Sequence, residues 1–187
     1  MLNSIQKAFK VKEVRERLLY TFMMLIVIRI GSCLPIPGVD ASFLKEFFTN
    51  LQNSGMGFVN AITGGSFSNM SMFALSITPY ITSSIIMQLM TIAVPKLEEM
   101  QKEGEDGRKK IAEYTRYLTV ALARFQSSAM AIGFGKQGLL YEDAQNIWGY
   151  MTVIAAMTAG SALLMWIGER ITEKGVGNGI SIVLLIN

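Results

Sequence analysis

Charged residues in this chain occur in clusters, and long apolar stretches separate the clusters. A helix of about 20 apolar residues is long enough to cross the hydrocarbon core of a bilayer. The pattern predicts four complete spans and the start of a fifth, at about residues 18–34, 72–94, 115–135, 147–168 and 179–187. We therefore expect an all-α integral membrane protein with several spans, of which the first is retained and not cleaved as a signal peptide.

One uncharged stretch, residues 47–95, is much longer than a single span requires. Its first part, 53–69, is rich in Gly, Ser and Asn and is too polar for a complete crossing. The sequence leaves two alternatives for this part, a short re-entrant helix or an external loop with an amphipathic surface helix. Irregular backbone at membrane depth is stable only where protein buries it or water reaches it, so a re-entrant helix predicts a cavity or pore.

The basic residues are distributed unevenly between the predicted loops. The N-terminal tail, the loop at 95–114 and the loop after the fourth span contain most of them, whereas the other two loops have only Lys45 and Lys136. Lysine and arginine accumulate on the cytoplasmic side of membrane proteins. The N-terminus and the loop at 95–114, which also contains several acidic residues, are therefore predicted to be cytoplasmic.

Composition argues against several classes of function. The net charge of +3 is too small to suggest direct nucleic-acid recognition, and hydrophobic residues make up 51% of the chain. Histidine is absent and there is one cysteine, so no catalytic group, metal site or cofactor is predicted. The glycine-rich segment 175–179 lacks the strand and the Lys-Ser/Thr of a phosphate loop, and we expect it to end one helix and begin the next.

Four side chains of the second predicted span fall on one helix face. Ile77, Ile81, Ser84 and Gln88 are spaced by four, three and four residues. An apolar half followed by a polar half suits a pore that has a hydrophobic constriction. The alternative, which the spacing alone favours, is that the isoleucines face lipid or the protein core. Pro79 lacks a backbone N–H and is expected to kink this span.

Arg124 lies in the middle of the third predicted span. A charge at the centre of a membrane helix costs about 2.5–3.5 kcal/mol on insertion scales. Ser127 and Ser128 follow within about one turn. We therefore expect Arg124 to face a cavity or the protein interior.

Four motifs then identify a family. They are LPIPGVD at 34–40, ITPYIT at 77–82, KEGEDGRKK at 102–110 followed by YTRY at 114–117, and GERITEKGVGNGISI at 168–182. In this order the motifs resemble the SecY family, the channel subunits of the bacterial protein-conducting translocon. The resemblance implies a ten-helix channel in two halves, of which this chain matches the N-terminal half.

The resemblance also implies roles for particular residues. It assigns Ile77, Ile81, Ile180 and Leu184 to an apolar pore ring. It assigns residues 56–70, with Gly64, Gly65, Ser66 and Phe67, to a plug helix that seals the external side. It assigns a lateral gate toward lipid to the second and third spans, with Thr82, Gln88, Arg124 and Ser128, although Arg124 stands where the family usually has an apolar residue.

The implied function is passive conduction of secretory polypeptides across the bacterial plasma membrane and of membrane proteins into it. The implied partners are SecE, SecG, SecA or a ribosome, the signal sequence, the translocating polypeptide and membrane lipid. One rival is a secondary transporter, which also uses broken helices but needs polar or ionisable ligands near the midplane, where only Arg124 is available. Another is a membrane fragment without activity of its own. An enzyme is the least favoured class, because the sequence contains no catalytic constellation.

Overall fold

The computed structural model describes residues 11–39, 71–136, 138, 140 and 146–186. Within these residues the chain is helical, with two isolated β-bridges (Pro35 with Ser71 and Val39 with Leu140) and no strand. The helices are α1 (Lys12–Ser32), α2 (Thr78–Ala93), α3 (Pro95–Lys102), α4 (Glu105–Lys136), α5 (Ile147–Lys174) and α6 (Gly179–Ile186). The plug residues Gly64, Gly65, Ser66 and Phe67 lie outside the described residues.

In the second predicted span, residues 71–77 form turns and α2 begins only at Thr78. Pro79 therefore lies in the first turn of α2, where a missing N–H costs no intrahelical hydrogen bond. The expected kink at Pro79 is wrong. The bend occurs instead at Val94–Pro95, where α2 and α3 meet at 100°. Val94 has an extended backbone there (φ −110°, ψ 111°), as a residue before proline prefers.

In the described part of the chain, α5 is long and apolar enough to cross a membrane, and the bent pair α2–α3 qualifies if its two helices count as one span. Helices α1 and α4 have 21 and 32 residues, which is sufficient length. Both contain charged residues that lower their mean hydropathy, mainly in the first turns of each helix but also at Arg29 of α1 and Arg124 of α4. The count of four full spans stays a prediction.

Helix α5 is the centre of the bundle and packs against α1, α4 and α6. Two buried apolar clusters hold the described helices together. The first joins the 71–77 turns to facing ends of α4 and α5 and contains Ile36, Val39, Ala74, Leu75, Ala131, Phe134, Leu140, Val153 and Met157. The second joins α1, the start of α2, α5 and α6 and contains Ile28, Phe73, Ile77, Leu164, Ile167, Ile171 and Val183.

The glycine-rich segment after α5 ends one helix and starts another, which confirms the expectation for 175–179. Gly175 follows the last residue of α5, and Gly177 has φ +77°, a left-handed conformation that glycine adopts without strain. Asn178 then caps α6, because its Oδ1 accepts a hydrogen bond from the backbone N–H of Ile180 at 3.1 Å. The chain reverses here within a few residues.

Candidate functional site

Three of the four residues assigned to the pore ring lie in one apolar cluster. Ile77, at the N-cap of α2, is completely buried, while Ile81 and Ile180 pack against the cluster and are partly buried. Gly168 of α5 lies beside them: a Cβ built on it would be 3.4 Å from Ile77 Cδ1 and 3.6 Å from Ile180 Cγ1. The first turns of α2 and α6 therefore meet over a glycine of α5.

Leu184, the fourth ring residue, lies one turn beyond Ile180 on α6. Its side chain is 47% exposed and is not part of the buried cluster. The described residues thus bring Ile77, Ile81 and Ile180 together and leave Leu184 on the open side of α6.

A strained residue directs the chain into α2. Ser76 has φ +54°, which is uncommon for any residue other than glycine. Its N–H donates to the carbonyl of Phe73 at 2.8 Å, and its own carbonyl accepts a hydrogen bond from Ser161 Oγ of α5 at 3.4 Å. These contacts fix the turn that precedes Ile77. Sequence reasoning missed Ser76 and Ser161, because a serine within an apolar stretch gives no signal of a positive φ.

Two predicted gate residues, Thr82 and Gln88, lie on α2. Thr82 is partly exposed, and its hydroxyl donates to the carbonyl of Thr78 at 3.1 Å. Gln88 and Ser84 line a polar cavity of about 230 Å³ between α2 and α4, together with Tyr80, Thr91 and Thr115 among others. Ser84 and Gln88 therefore lie on one face of α2, as their spacing predicts.

The other two predicted gate residues, Arg124 and Ser128, lie on α4. Arg124 is exposed and lines a groove of about 480 Å³ between α4 and α5, away from the cavity that Gln88 lines. The hydroxyls of Ser127 and Ser128 donate to the backbone carbonyl of Arg124 at 3.0 and 2.7 Å. Ser127 also shares a hydrogen bond of 3.1 Å with Thr158 of α5. The structure does not bring Arg124 together with Thr82 and Gln88.

A bidentate ion pair joins α4 to α5. Arg116 Nε lies 3.0 Å from Glu169 Oε1, and Arg116 Nη2 lies 3.0 Å from Glu169 Oε2. The Glu169 side chain is only 19% exposed, so this pair is stronger than a fully solvated one. Both residues belong to motifs of the sequence, yet nothing in their spacing indicates that they meet.

Among the described residues, no group of three or more His, Cys, Asp or Glu side chains is arranged to hold a metal ion.

A family model for SecY matches residues 71–187. The chain belongs to the SecY family. It is 42% identical to the protein translocase subunit SecY of Streptomyces scabiei over an alignment of 198 positions, which covers all of this chain and 45% of that protein. It is 46% identical to the protein translocase subunit SecY of Escherichia coli K12 over 176 positions, covering 92% of this chain and 39% of that protein.

Solved structures agree with the SecY-family assignment at the level of the fold. A structure of Sec61 in the canine ribosome–channel complex from the endoplasmic reticulum matches with a TM-score of 0.58 and 19% identity, covering 97% of this chain and 40% of that one. A second structure, of a protein-conducting channel, matches with the same score and coverage. The chain spans less than half the length of these SecY-family relatives.

Proposed function

We propose that this chain is the N-terminal half of a channel subunit that passes secretory polypeptides across the plasma membrane and membrane proteins into it. The observation that carries the proposal is the meeting of Ile77, Ile81 and Ile180 in one apolar cluster of a SecY-family chain. Relatives that bear the name protein translocase subunit SecY support it.

The proposed topology has four full spans and the start of a fifth, with the N-terminus in the cytoplasm. The contacts between helix ends support this orientation. Thr21 Oγ1, in the middle of α1, accepts a hydrogen bond from the Val176 N–H after α5 at 3.1 Å, and Arg116 pairs with Glu169. These contacts bring the first half of α1, Arg116 of α4 and the end of α5 together at one end of the bundle. Lys12, Arg15 and Arg17 of α1 lie toward that end, and the positive-inside rule favours the cytoplasm for it.

In the proposed mechanism, the ring residues form one side of a narrow apolar neck: Ile81, Ile180 and Leu184 line it, and the completely buried Ile77 packs behind them. Water in such a neck is unfavourable, so the resting pore excludes ions by dewetting. A plug at 56–70 seals the external side. A gate that includes Thr82, Gln88, Arg124 and Ser128 opens to lipid, and a signal sequence enters there. The apolar side chains then repack around the passing polypeptide.

The chain itself supplies no chemical step in this proposal, and the energy comes from partners. We propose SecE and SecG as companion subunits and either SecA or a ribosome as the source of the polypeptide. The similarity of the fold to Sec61 in a ribosome–channel complex supports a ribosome as one such source. Neither a cofactor nor a metal is part of the proposal.

The test is a charge in the neck of the complete channel protein. The change Ile81→Asp should wet the neck and raise the resting ion conductance in planar bilayers, because a carboxylate removes the dewetting barrier. The matched control is Ile86→Asp, since Ile86 is exposed and lies roughly 140° around α2 from Ile81 at 3.6 residues per turn. Two results would contradict the ring assignment: an unchanged resting conductance in Ile81→Asp, or an equal increase in both variants.

A further inference from the structure

A groove between α4 and α5 combines a charged side chain with a wall of small residues. Its α4 side has Val120 and Arg124, and its volume is about 480 Å³. Its α5 side carries Met151 and Ile154 and then mostly small side chains, namely Ala155, Thr158, Ala159 and Ala162. Small residues allow the backbone of a further helix to approach closely within a membrane. The groove therefore has the shape of a helix-docking surface.

The position of Arg124 along α4 makes its charge costly under the proposed topology. Arg124 lies eight residues after Arg116, which is about 12 Å along the helix at 1.5 Å per residue. The hydrocarbon core is about 30 Å thick, so Arg124 lies well inside it and far from the headgroups of either leaflet. A charge at this depth costs about 2.5–3.5 kcal/mol unless a partner compensates it.

The described part of the chain offers Arg124 no counter-ion. All the ion pairs among the described residues involve other basic side chains, and none contains Arg124. The nearby serines, Ser127 and Ser128, donate their hydroxyl hydrogens to the backbone carbonyl of Arg124. Within the described residues, the guanidinium thus lies at the edge of the groove without an ion-pair partner.

Three candidate partners could place a negative or neutral group beside Arg124, and its charge and depth favour one of them. A second copy of this chain does not supply a carboxylate at this depth, because its predicted spans within residues 1–187 contain no Asp or Glu. A lipid phosphate lies at the headgroup level, and Arg124 is about 12 Å along α4 from Arg116, which the proposed topology places near that level. A carboxylate on a membrane-spanning helix has both the required charge and the required depth, and a guanidinium binds it with two parallel hydrogen bonds.

We propose that the α4–α5 groove binds a membrane-spanning helix of a partner protein that carries an Asp or Glu opposite Arg124. This inference rests on the membrane topology of the proposed function. It assigns Arg124 a binding role in addition to its place in the proposed gate.

The test uses the complete channel protein in nanodiscs of zwitterionic lipid and a synthetic Leu/Ala-rich spanning peptide of about 20 residues. Two versions of the peptide differ only in a central Glu or Gln, and binding is measured by energy transfer between fluorescent labels. We expect the Glu peptide to bind about tenfold more tightly than the Gln peptide. In Arg124→Gln the difference should disappear, and Arg124→Glu should instead prefer a peptide with a central Lys.

Several results would overturn the proposal. Equal binding of the Glu and Gln peptides would do so, and so would a Glu preference that persists in Arg124→Gln. Displacement of the Glu peptide by anionic lipid, at lipid fractions that leave the Gln peptide bound, would assign Arg124 to lipid instead. The charge swap with the Lys peptide keeps the test valid if Arg124→Gln folds poorly. Conductance of Ile81→Asp is independent of peptide binding, so the pore proposal and the groove proposal can fail separately.

Discussion

The crossing of α5 and α6 predicts opposite effects for the same substitution at two glycines. Gly168 faces Ile77 and Ile180 across ordinary van der Waals distances, 3.4 and 3.6 Å from a Cβ built at this position. Gly179 begins α6 against the backbone of α5, and a Cβ there would overlap the carbonyl oxygen of Gly168. It would also lie 2.7 Å from the Thr172 nitrogen. One added methyl group therefore fits at Gly168 and does not fit at Gly179.

The expected free-energy changes follow from these contacts. At Gly168 alanine improves helix propensity by about 1 kcal/mol and buries a methyl worth about 0.8 kcal/mol, so we expect a neutral to stabilising effect. At Gly179 the obstructing atoms belong to a helix backbone and cannot rotate away. Helix α6 must move off α5, and overpacking of this kind costs about 1–3 kcal/mol. The two variants should therefore differ by at least about 1 kcal/mol in free energy of unfolding.

The assay is unfolding of the complete protein by SDS titration from mild detergent micelles, with Gly168→Ala as the matched control for Gly179→Ala. Since α6 also positions Ile180 against Ile77, Gly179→Ala should raise the resting conductance as well. The reasoning is refuted if Gly179→Ala unfolds at the same SDS fraction as the unmodified protein. It is also refuted if Gly168→Ala is equally destabilising.

Two further predictions concern ion pairs. A double-mutant cycle with Arg116→Gln and Glu169→Gln should give a coupling free energy of about 1 kcal/mol in SDS unfolding. The bidentate geometry strengthens the pair, while the half-exposed Arg116 side chain weakens it. A coupling free energy near zero would mean that the pair does not hold α4 to α5. Lys102 Nζ, 2.7 Å from Glu98 Oε1, lowers the pKa of Glu98 below its ordinary 4.5. The Lys102–Glu98 pair therefore stabilises the fold at neutral pH, and this contribution is lost as pH falls through the lowered pKa of Glu98. The thermal midpoints of the unmodified protein and Glu98→Gln should accordingly differ near neutrality and converge in acid.

The hydrophobic pattern predicted helices better than it predicted where they begin. Helix α5 starts at Ile147, as the pattern indicates, because the apolar run and the helix coincide there. Before α2 they do not coincide. Residues 72–75 are apolar because they pack into the buried clusters as turns, and hydropathy does not distinguish a buried turn from a buried helix. Proline is compatible with a helix start as well as with a kink. In this structure the positive φ of Ser76 interrupts the chain just before α2, so Pro79 lies at the helix start.

The candidate site was less accessible to pattern reasoning than the helices were. The spacing of Ile77 and Ile81 is the same whether a helix faces lipid, a core or a pore, so the ring assignment came from family resemblance alone. The pairing of Arg116 with Glu169, 53 residues apart, depends on how α4 and α5 cross. The sequence contains both residues in conspicuous motifs but contains no information on their distance.

The segment between α5 and α6 positions Ile180 for the proposed ring. Thr172 Oγ1 accepts the Gly179 N–H at 3.0 Å, and Thr21 Oγ1 accepts the Val176 N–H at 3.1 Å, so side chains of α5 and α1 both hold this turn. The turn brings Ile180 to the cluster that contains Ile77, at a point where Gly179 packs directly against the backbone of α5. Leu184, one turn along α6, is free of that contact. In the proposed ring, contacts with α5 and α1 therefore hold the start of α6 in place, and the exposed side chain of Leu184 beyond it has room to change rotamer.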